Sequence, residues 1–540
     1  MPIKKLLNWL DQHILELTAG FLLAFVPLYP KWPLFDILPG YIVRIRLDDF
    51  AIAVSILILA VQVIRRRTNL RINPLFLPIL LYLFIGLLSS LSALFITRTV
   101  PLELPHIGKL LLHWGRRVEY MSVALLFFAA VSTKENLKRL LTIFVITAAL
   151  VGLYGFGQKY LAWPVYTTMN REFSKGWRLV LTENARVSST FAGHYDLAAY
   201  TVVALSVLAA FLMVAPKKTK FFYATVFIIT FAMLLLTASR SSFLAYLPAI
   251  TIVAVLLATY LKPKTAITWW LVLMVVSGVG VRSFGGLYSR FAHLLMFDRL
   301  HAYVQEFTSQ FKPQAQRDLE ISQDLSLVYT PSDTPPSPVS TPAPDLANLP
   351  PDVDQAIPLS YPEASLSAIP DTTGTGNEGK PRTYSDAAYT FGLSSAIRFD
   401  VLWPKAIAGF KKNPLLGTGY STLLKDNVTD FTEAESTDND YLRSLGETGL
   451  LGVLSFYGIF IYALYLVLSV WRRLKDRDMV AFAAAFVAGI TGLLINALYI
   501  DVFEASKIAY ITWAFLGMAA GLVVFTLHHQ SPKKHVKKTR

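Results

Sequence analysis

The sequence predicts an all-α polytopic membrane protein with about 12 transmembrane helices and a large external loop between spans 9 and 10. Three observations carry this. Of 540 residues, 54% are hydrophobic and only 16% charged, whereas a soluble chain of this length carries about a quarter charged residues. Apolar windows close to the ~20 residues that a helix needs to cross the hydrocarbon core recur along the chain. Lys and Arg gather in every second connection, as orientation by positive charge requires.

The windows run at about 13–31, 49–64, 74–96, 112–132, 139–157, 195–215, 221–238, 242–260, 265–281, 449–470, 479–499 and 507–527. The first follows Lys4 and Lys5 but ends in no small-residue cleavage site, so it reads as a retained span rather than a signal peptide. Basic groups at Lys4 and Lys5, Arg65 to Arg71, Lys134 to Arg139, Lys217 to Lys220, Lys262 and Lys264, Arg472 to Arg477, and Lys533 to Arg540 all fall on one side. Both termini are therefore expected in the cytoplasm, and one span more or fewer would break the alternation. The net charge of +14 belongs to these inner segments, which leaves the exterior mildly acidic. It is an orientation signal and gives no reason to expect nucleic acid. The absence of cysteine excludes a disulfide framework and thiolate metal sites.

The chain divides into nine spans (1–282), a large external loop (283–448), three further spans (449–530) and a basic cytoplasmic tail (531–540). Within the loop, about 313–385 is rich in Pro, Ser and Thr, as in PSDTPPSPVSTPAPD. Such a stretch buries too little apolar surface to offset its ordering entropy, and it reads as a disordered insertion, first of all a spacer, between parts with short helices.

The spans hold almost no ionisable residues, and the polar groups collect at their outer ends. Arg186 lies in ARVSSTFAGHYDLAAY with His194 and Asp196; Arg240 lies in LTASRSS; Arg398, Trp403 and Lys405 lie in SSAIRFDVLWPKAIAGF; Asp438, Asn439 and Asp440 lie in ESTDNDYLRSLGETGLLG. Arg240 is the most informative. Pinned in a turn of a few residues between two apolar spans, it stays near the membrane surface, and a guanidinium forks onto phosphate or carboxylate oxygens. A snorkelling arginine is the plainer alternative. In KNPLLGTGY, Asn413-Pro414 starts a turn and Gly417 and Gly419 permit close backbone approach. From Asp440 onward a helix would align Asp440, Arg443, Ser444 and Glu447 on one face, as a solvated face also would. Asp438-x-Asp440 and Asp48-Asp49 are pairs of a kind that holds divalent cations, although Asp48 and Asp49 equally suit the cap of the second span.

KNPLLGTGY, followed by TDNDYLRSLGETGLLGVLSF, resembles the signature of the O-antigen ligase and O-antigen polymerase superfamily of bacterial membrane glycosyltransferases. The family pattern is Asn-Pro-hydrophobic-Gly-x-Gly, then His-Asn-x-Tyr-Leu, then Glu-x-Gly-hydrophobic-hydrophobic-Gly. The Ser-Arg turn at Arg240 and STFAGHYDLAAY are similar too, with Asp196 where Asn is common, and the resemblance covers roughly residues 180–460. It implies transfer of a glycan from an undecaprenyl-diphosphate carrier to an acceptor hydroxyl on the outer face of the bacterial cytoplasmic membrane, using neither nucleotide sugar nor cofactor and, for the ligases, no metal. Arg186, Arg240 and Arg398 would hold the diphosphate. Asp438 stands where ligases have His and would activate the acceptor; Glu447 would position it, and His194, Asn439 and Tyr441 would contact substrate. The Asp at 438 tilts the expectation toward polymerases, whose acceptor is another lipid-linked glycan, with a chain-length regulator as a candidate partner beside membrane lipids. A flippase or exporter of lipid-linked oligosaccharides is the alternative, disfavoured because no two related halves are visible. A scaffold has only the proline-rich loop in its favour.

Overall fold

A computed structural model describes residues 3–38, 44–168, 173–182, 185–283, 356–358, 397–425, 428 and 436–529. Their helices are α1 (Ile3–Leu28), α2 (Leu47–Ile64), α3 (Phe76–Phe95), α4 (Leu104–Ala130), α5 (Lys134–Tyr160), α6 (His194–Val214), α7 (Lys217–Leu236), α8 (Arg240–Ala258), α9 (Pro263–Ser283), α10 (Trp403–Lys412), α11 (Asp440–Val470), α12 (Arg477–Asn496) and α13 (Ser506–His529). Starts are set locally by side chains that satisfy the first free N–H groups. Thr133 caps α5, Ser239 caps α8, Asn439 caps α11 and Asp476 caps α12.

Ten of these helices are long and apolar enough to cross a membrane. The twelve windows expected from sequence include α1 and α4, which are long but more polar. α4 carries Lys109, Arg116, Arg117 and Glu119, which corrects the expectation that the spans are nearly free of ionisable residues. These groups are tolerated because the bundle pairs them: Arg116 meets Asp49 at 2.6 Å and Glu119 at 2.8 Å, and Arg117 meets Glu504. A charge inside such a bundle persists only when paired or hydrogen-bonded.

The core is built around α6. Its apolar window is wholly buried, as expected of a helix hydrophobic on every side, and it packs against α7, α8 and α12. α13 packs on α4, and α11 on α3 and α10. Two short antiparallel pairs flank the helices: β1 (Pro33–Asp36) with β2 (Arg44–Arg46), and β3 (Leu179–Leu181) with β4 (Ala356–Pro358). Of the expected disordered insertion at about 313–385, only β4 is among the described residues; the rest lies outside them.

Hydrogen bonds bring many helix ends to one end of the bundle. Lys507, at the start of α13, donates to the carbonyls of Pro27 in the last turn of α1 and Thr190 before α6 at 3.0 and 2.8 Å. Arg46, before α2, donates to Ser506 at 3.2 Å. Asn496, closing α12, donates to Ser242 in the first turn of α8 at 2.9 Å, and the Asp440 N–H donates to Ala497. The functional candidates lie at this end.

The two signature segments form one interlocked unit. α11 breaks at Gly449, whose φ is 66° and ψ −168°. The N–H groups freed past the break are taken up by the other segment: Leu450 donates to Pro414 at 2.9 Å and Leu451 to Leu415 at 3.2 Å. In return Thr418 and Gly419 donate to the carbonyls of Gly446 and Glu447 at 2.9 and 2.8 Å. A Cβ at Gly449 would run into the Leu415 carbonyl, and one at Gly417 into that of Glu447. Glycine at these places is a demand of backbone-on-backbone contact as well as of positive φ.

Candidate active site

Arg186, Arg240 and Arg398 come from three separate stretches of chain. The loop carrying Arg186 is fixed from behind. Gln158 donates to the Ser189 carbonyl at 2.8 Å, Ser189 to Val151 at 2.7 Å, and buried Lys507 to Thr190. The Arg186 guanidinium meets His194 Nε2 at 2.7 Å, on the first residue of α6. Arg240 is the first residue of α8. Arg398 opens a wide helical turn leading into α10 and pairs with Asp438 at 3.0 Å.

Arg240 lies within electrostatic reach of both other arginines and of Tyr195. Among the described residues it has no hydrogen-bond or ion-pair partner, and the buried Nε of Arg186 also lacks one. Three like charges gathered near one another, one of them without a counter-ion, create a field that favours a polyanion.

Asp438 stands just before α11. It is half-buried, its Oδ2 facing Arg398 and its Oδ1 accepting from Ser436 Oγ at 3.0 Å. Burial pushes its carboxyl above the ordinary carboxylate range, reinforced by Asp501 and opposed by Arg398 and Ser436. Four non-glycine residues of this neighbourhood hold left-handed backbone: Ser189, Ala238, Ser421 and Asp438, with φ of 51°, 48°, 57° and 50°. Such strain persists where the surroundings over-determine it, and it concentrates at functional sites.

Residues 224–457 match the O-antigen ligase family. This match supports the O-antigen ligase and polymerase superfamily over that stretch of the chain. Among curated proteins none matches it. The O-antigen ligase match takes in Arg240, Arg398, Asp438 and Glu447, while Arg186 and His194 lie ahead of it.

The remaining sequence candidates face inward. Glu447 is buried, pairs with Arg443 at 3.3 Å and Arg117 at 3.8 Å, and accepts the Ser421 N–H at 2.9 Å. It thereby clamps the Gly417–Ser421 stretch. Asn439 spends its side chain on capping, accepting from Leu442 N at 2.9 Å and donating to Leu498 O at 3.0 Å. Tyr441 donates to Leu494 O at 2.7 Å and stacks on Tyr457. Asn439 and Tyr441 thus hold the start of α11. The two acidic pairs are likewise engaged by protein. Asp440 accepts from Phe503 N at 3.1 Å, Asp48 pairs with Arg46 at 3.0 Å, and Asp49 receives the Arg46 N–H as the cap of α2. Among the described residues no group of three or more His, Asp or Glu is arranged to hold a metal ion.

Sequence reasoning missed Asp501, between α12 and α13. It accepts from Thr437 N at 3.0 Å, Asn439 N at 2.9 Å and Ser436 Oγ at 2.9 Å, and pairs with Arg443 at 3.0 Å. These contacts bracket Asp438 on both sides. It also missed Arg117 and Glu504, which with Tyr82, Tyr420, Asp440 and Glu447 line an internal cavity. The available signals were an arginine pair inside an apolar window and two carboxylates in a short connection between spans.

Proposed function

We propose that this membrane glycosyltransferase moves a glycan from undecaprenyl diphosphate to an acceptor hydroxyl on the outer face of the bacterial cytoplasmic membrane, in the manner of a polysaccharide polymerase. The observation that carries the reading is Arg240, lacking any protein counter-ion among the described residues and set near Arg186 and Arg398. That arrangement suits a lipid-linked diphosphate at headgroup level. The arginines would also stabilise the charge that grows on the diphosphate as the sugar leaves. Asp438 takes the proton of the acceptor hydroxyl while the sugar–diphosphate bond breaks and the new glycosidic bond forms, with inversion at the anomeric carbon. A carboxylate raised toward the working pH is the better base. Glu447 acts through the loop it clamps, and His194 orients Arg186.

The test is incubation of the purified full chain in detergent with an undecaprenyl-diphosphate oligosaccharide as both donor and acceptor. Longer glycans, formed equally with chelator present, are the expected product. Absence of any transfer, with movement of the same lipid across vesicle bilayers, would overturn the reading in favour of a flippase. Because the base must be ionised, activity is expected to fall as pH drops through the raised Asp438 value, above the range of an ordinary carboxylate. Asp438→Asn should remove that limb together with most of the activity.

A further inference from the structure

Ser436 occupies an unusual position between two carboxylates. Its Oγ lies 3.0 Å from Asp438 Oδ1 and 2.9 Å from Asp501 Oδ2, and it also accepts the Asp438 N–H at 3.2 Å. A serine hydroxyl has one proton to donate. With both carboxylates ionised, it satisfies one of them and leaves the other oxygen in an acceptor–acceptor contact. That contact turns favourable when the second carboxyl carries a proton of its own.

The two carboxylates are not equivalent. Asp501 receives Thr437 N, Thr437 Oγ1, Asn439 N and Arg443, so both its oxygens are already taken up by donors. Among the described residues Asp438 is matched by the single cation Arg398, through Oδ2, so a proton arriving on Asp438 rests on Oδ1, away from the guanidinium and against Ser436. The charged groups around the pair, among the described residues, are Arg398 from the turn before α10, Arg443 and Asp440 from α11, and Glu504 from the connection that carries Asp501.

We propose that Ser436, backed by Asp501, is a proton-responsive positioning residue: its hydroxyl donates to Asp438 while that carboxylate is ionised and swings to Asp501 once Asp438 has taken the acceptor proton. The acceptor O–H bond breaks and an O–H bond forms on Asp438. Ser436 keeps its own proton and only rotates, accepting from Asp438 in the second state. Both protonation states of the base are thus hydrogen-bonded, with no movement of the backbone. The inference rests on Asp438 being the base.

The experiment is the pH dependence of kcat/KM for the full chain acting on an undecaprenyl-diphosphate oligosaccharide. Ser436 is exposed, so Ser436→Ala should leave folding intact. The variant loses a hydrogen bond in both states, but the charge-assisted one to the ionised carboxylate is the stronger, so the acid limb should move upward, by up to about one pH unit, while the plateau at high pH stays within about threefold of wild type. Ser436→Thr should restore the limb. A purely structural serine would lower the plateau and leave the limb where it was, and an unmoved limb in Ser436→Ala overturns the proposal whatever the plateau does. Asp438→Asn separates the two readings: wild-type turnover in that variant removes Asp438 as base and the proposal with it, whereas an inactive Asp438→Asn beside an unmoved Ser436→Ala limb removes the proposal alone.

Discussion

The arginine cluster and the charge network beside it are made of the same kinds of side chain and differ in how fully those side chains are paired. In the network Arg117 meets Glu504 and Glu447, Arg443 meets Glu447 and Asp501, and Arg116 meets Asp49 and Glu119. In the cluster Arg398 meets Asp438, Arg186 meets a histidine, and Arg240 meets no carboxylate among the described residues. A buried charge with its partners in place fastens helices to one another. A charge held close to its own kind, without that partner, is matched to something that arrives from outside. Asp501 joins the two regions, since it pairs with Arg443 and also fixes the segment that presents Asp438.

This division is open to attack at several strengths. The largest expected effect is on stability in the network. Arg443→Ala leaves Glu447 and Asp501 without their shared cation and should cost about 3–5 kcal/mol, seen as a steep fall in Tm of the purified protein; a wild-type Tm would erase the distinction between the regions. Next is Gly449→Ala. It forces a side chain onto left-handed backbone and into the Leu415 carbonyl, and the strain alone should cost about 1–3 kcal/mol, with α11 and the 413–419 segment loosening together in hydrogen exchange. The smallest is Tyr441→Phe, which removes one hydrogen bond to Leu494 O. A loss of about 1 kcal/mol with KM for the donor unchanged keeps Tyr441 among the supports, while a large rise in KM would return it to the substrate surface.

The helical layout was legible because apolar windows and alternating positive loops are properties of single segments. The windows at 195–215 and 479–499 became the buried α6 and α12. The late signature was equally legible, but its purpose was not. Nothing in KNPLLGTGY says that its carbonyls receive the N–H groups of Leu450 and Leu451, because that pairing exists only once α11 breaks at Gly449. The inward turn of Asn439 and Tyr441 was hidden for the same reason, since their partners Leu494 and Leu498 lie some fifty residues on, at the end of α12 and just beyond it. Arg117 and Asp501 escaped notice because each draws its meaning from partners far along the chain: Glu504 for the first, Ser436 to Arg443 for the second. Arg240 was the exception. A turn too short to let it leave the membrane surface is visible in sequence, and it pointed to the residue whose lack of a partner among the described residues carries the functional reading.

Whether the under-paired arginines hold a lipid-linked diphosphate is decided by kcat/KM for transfer from a purified undecaprenyl-diphosphate oligosaccharide, wild type against Arg240→Ala. The account predicts a fall of about 10²–10³-fold in a protein that unfolds at the wild-type temperature. An Arg240→Ala variant with undiminished kcat/KM would contradict it.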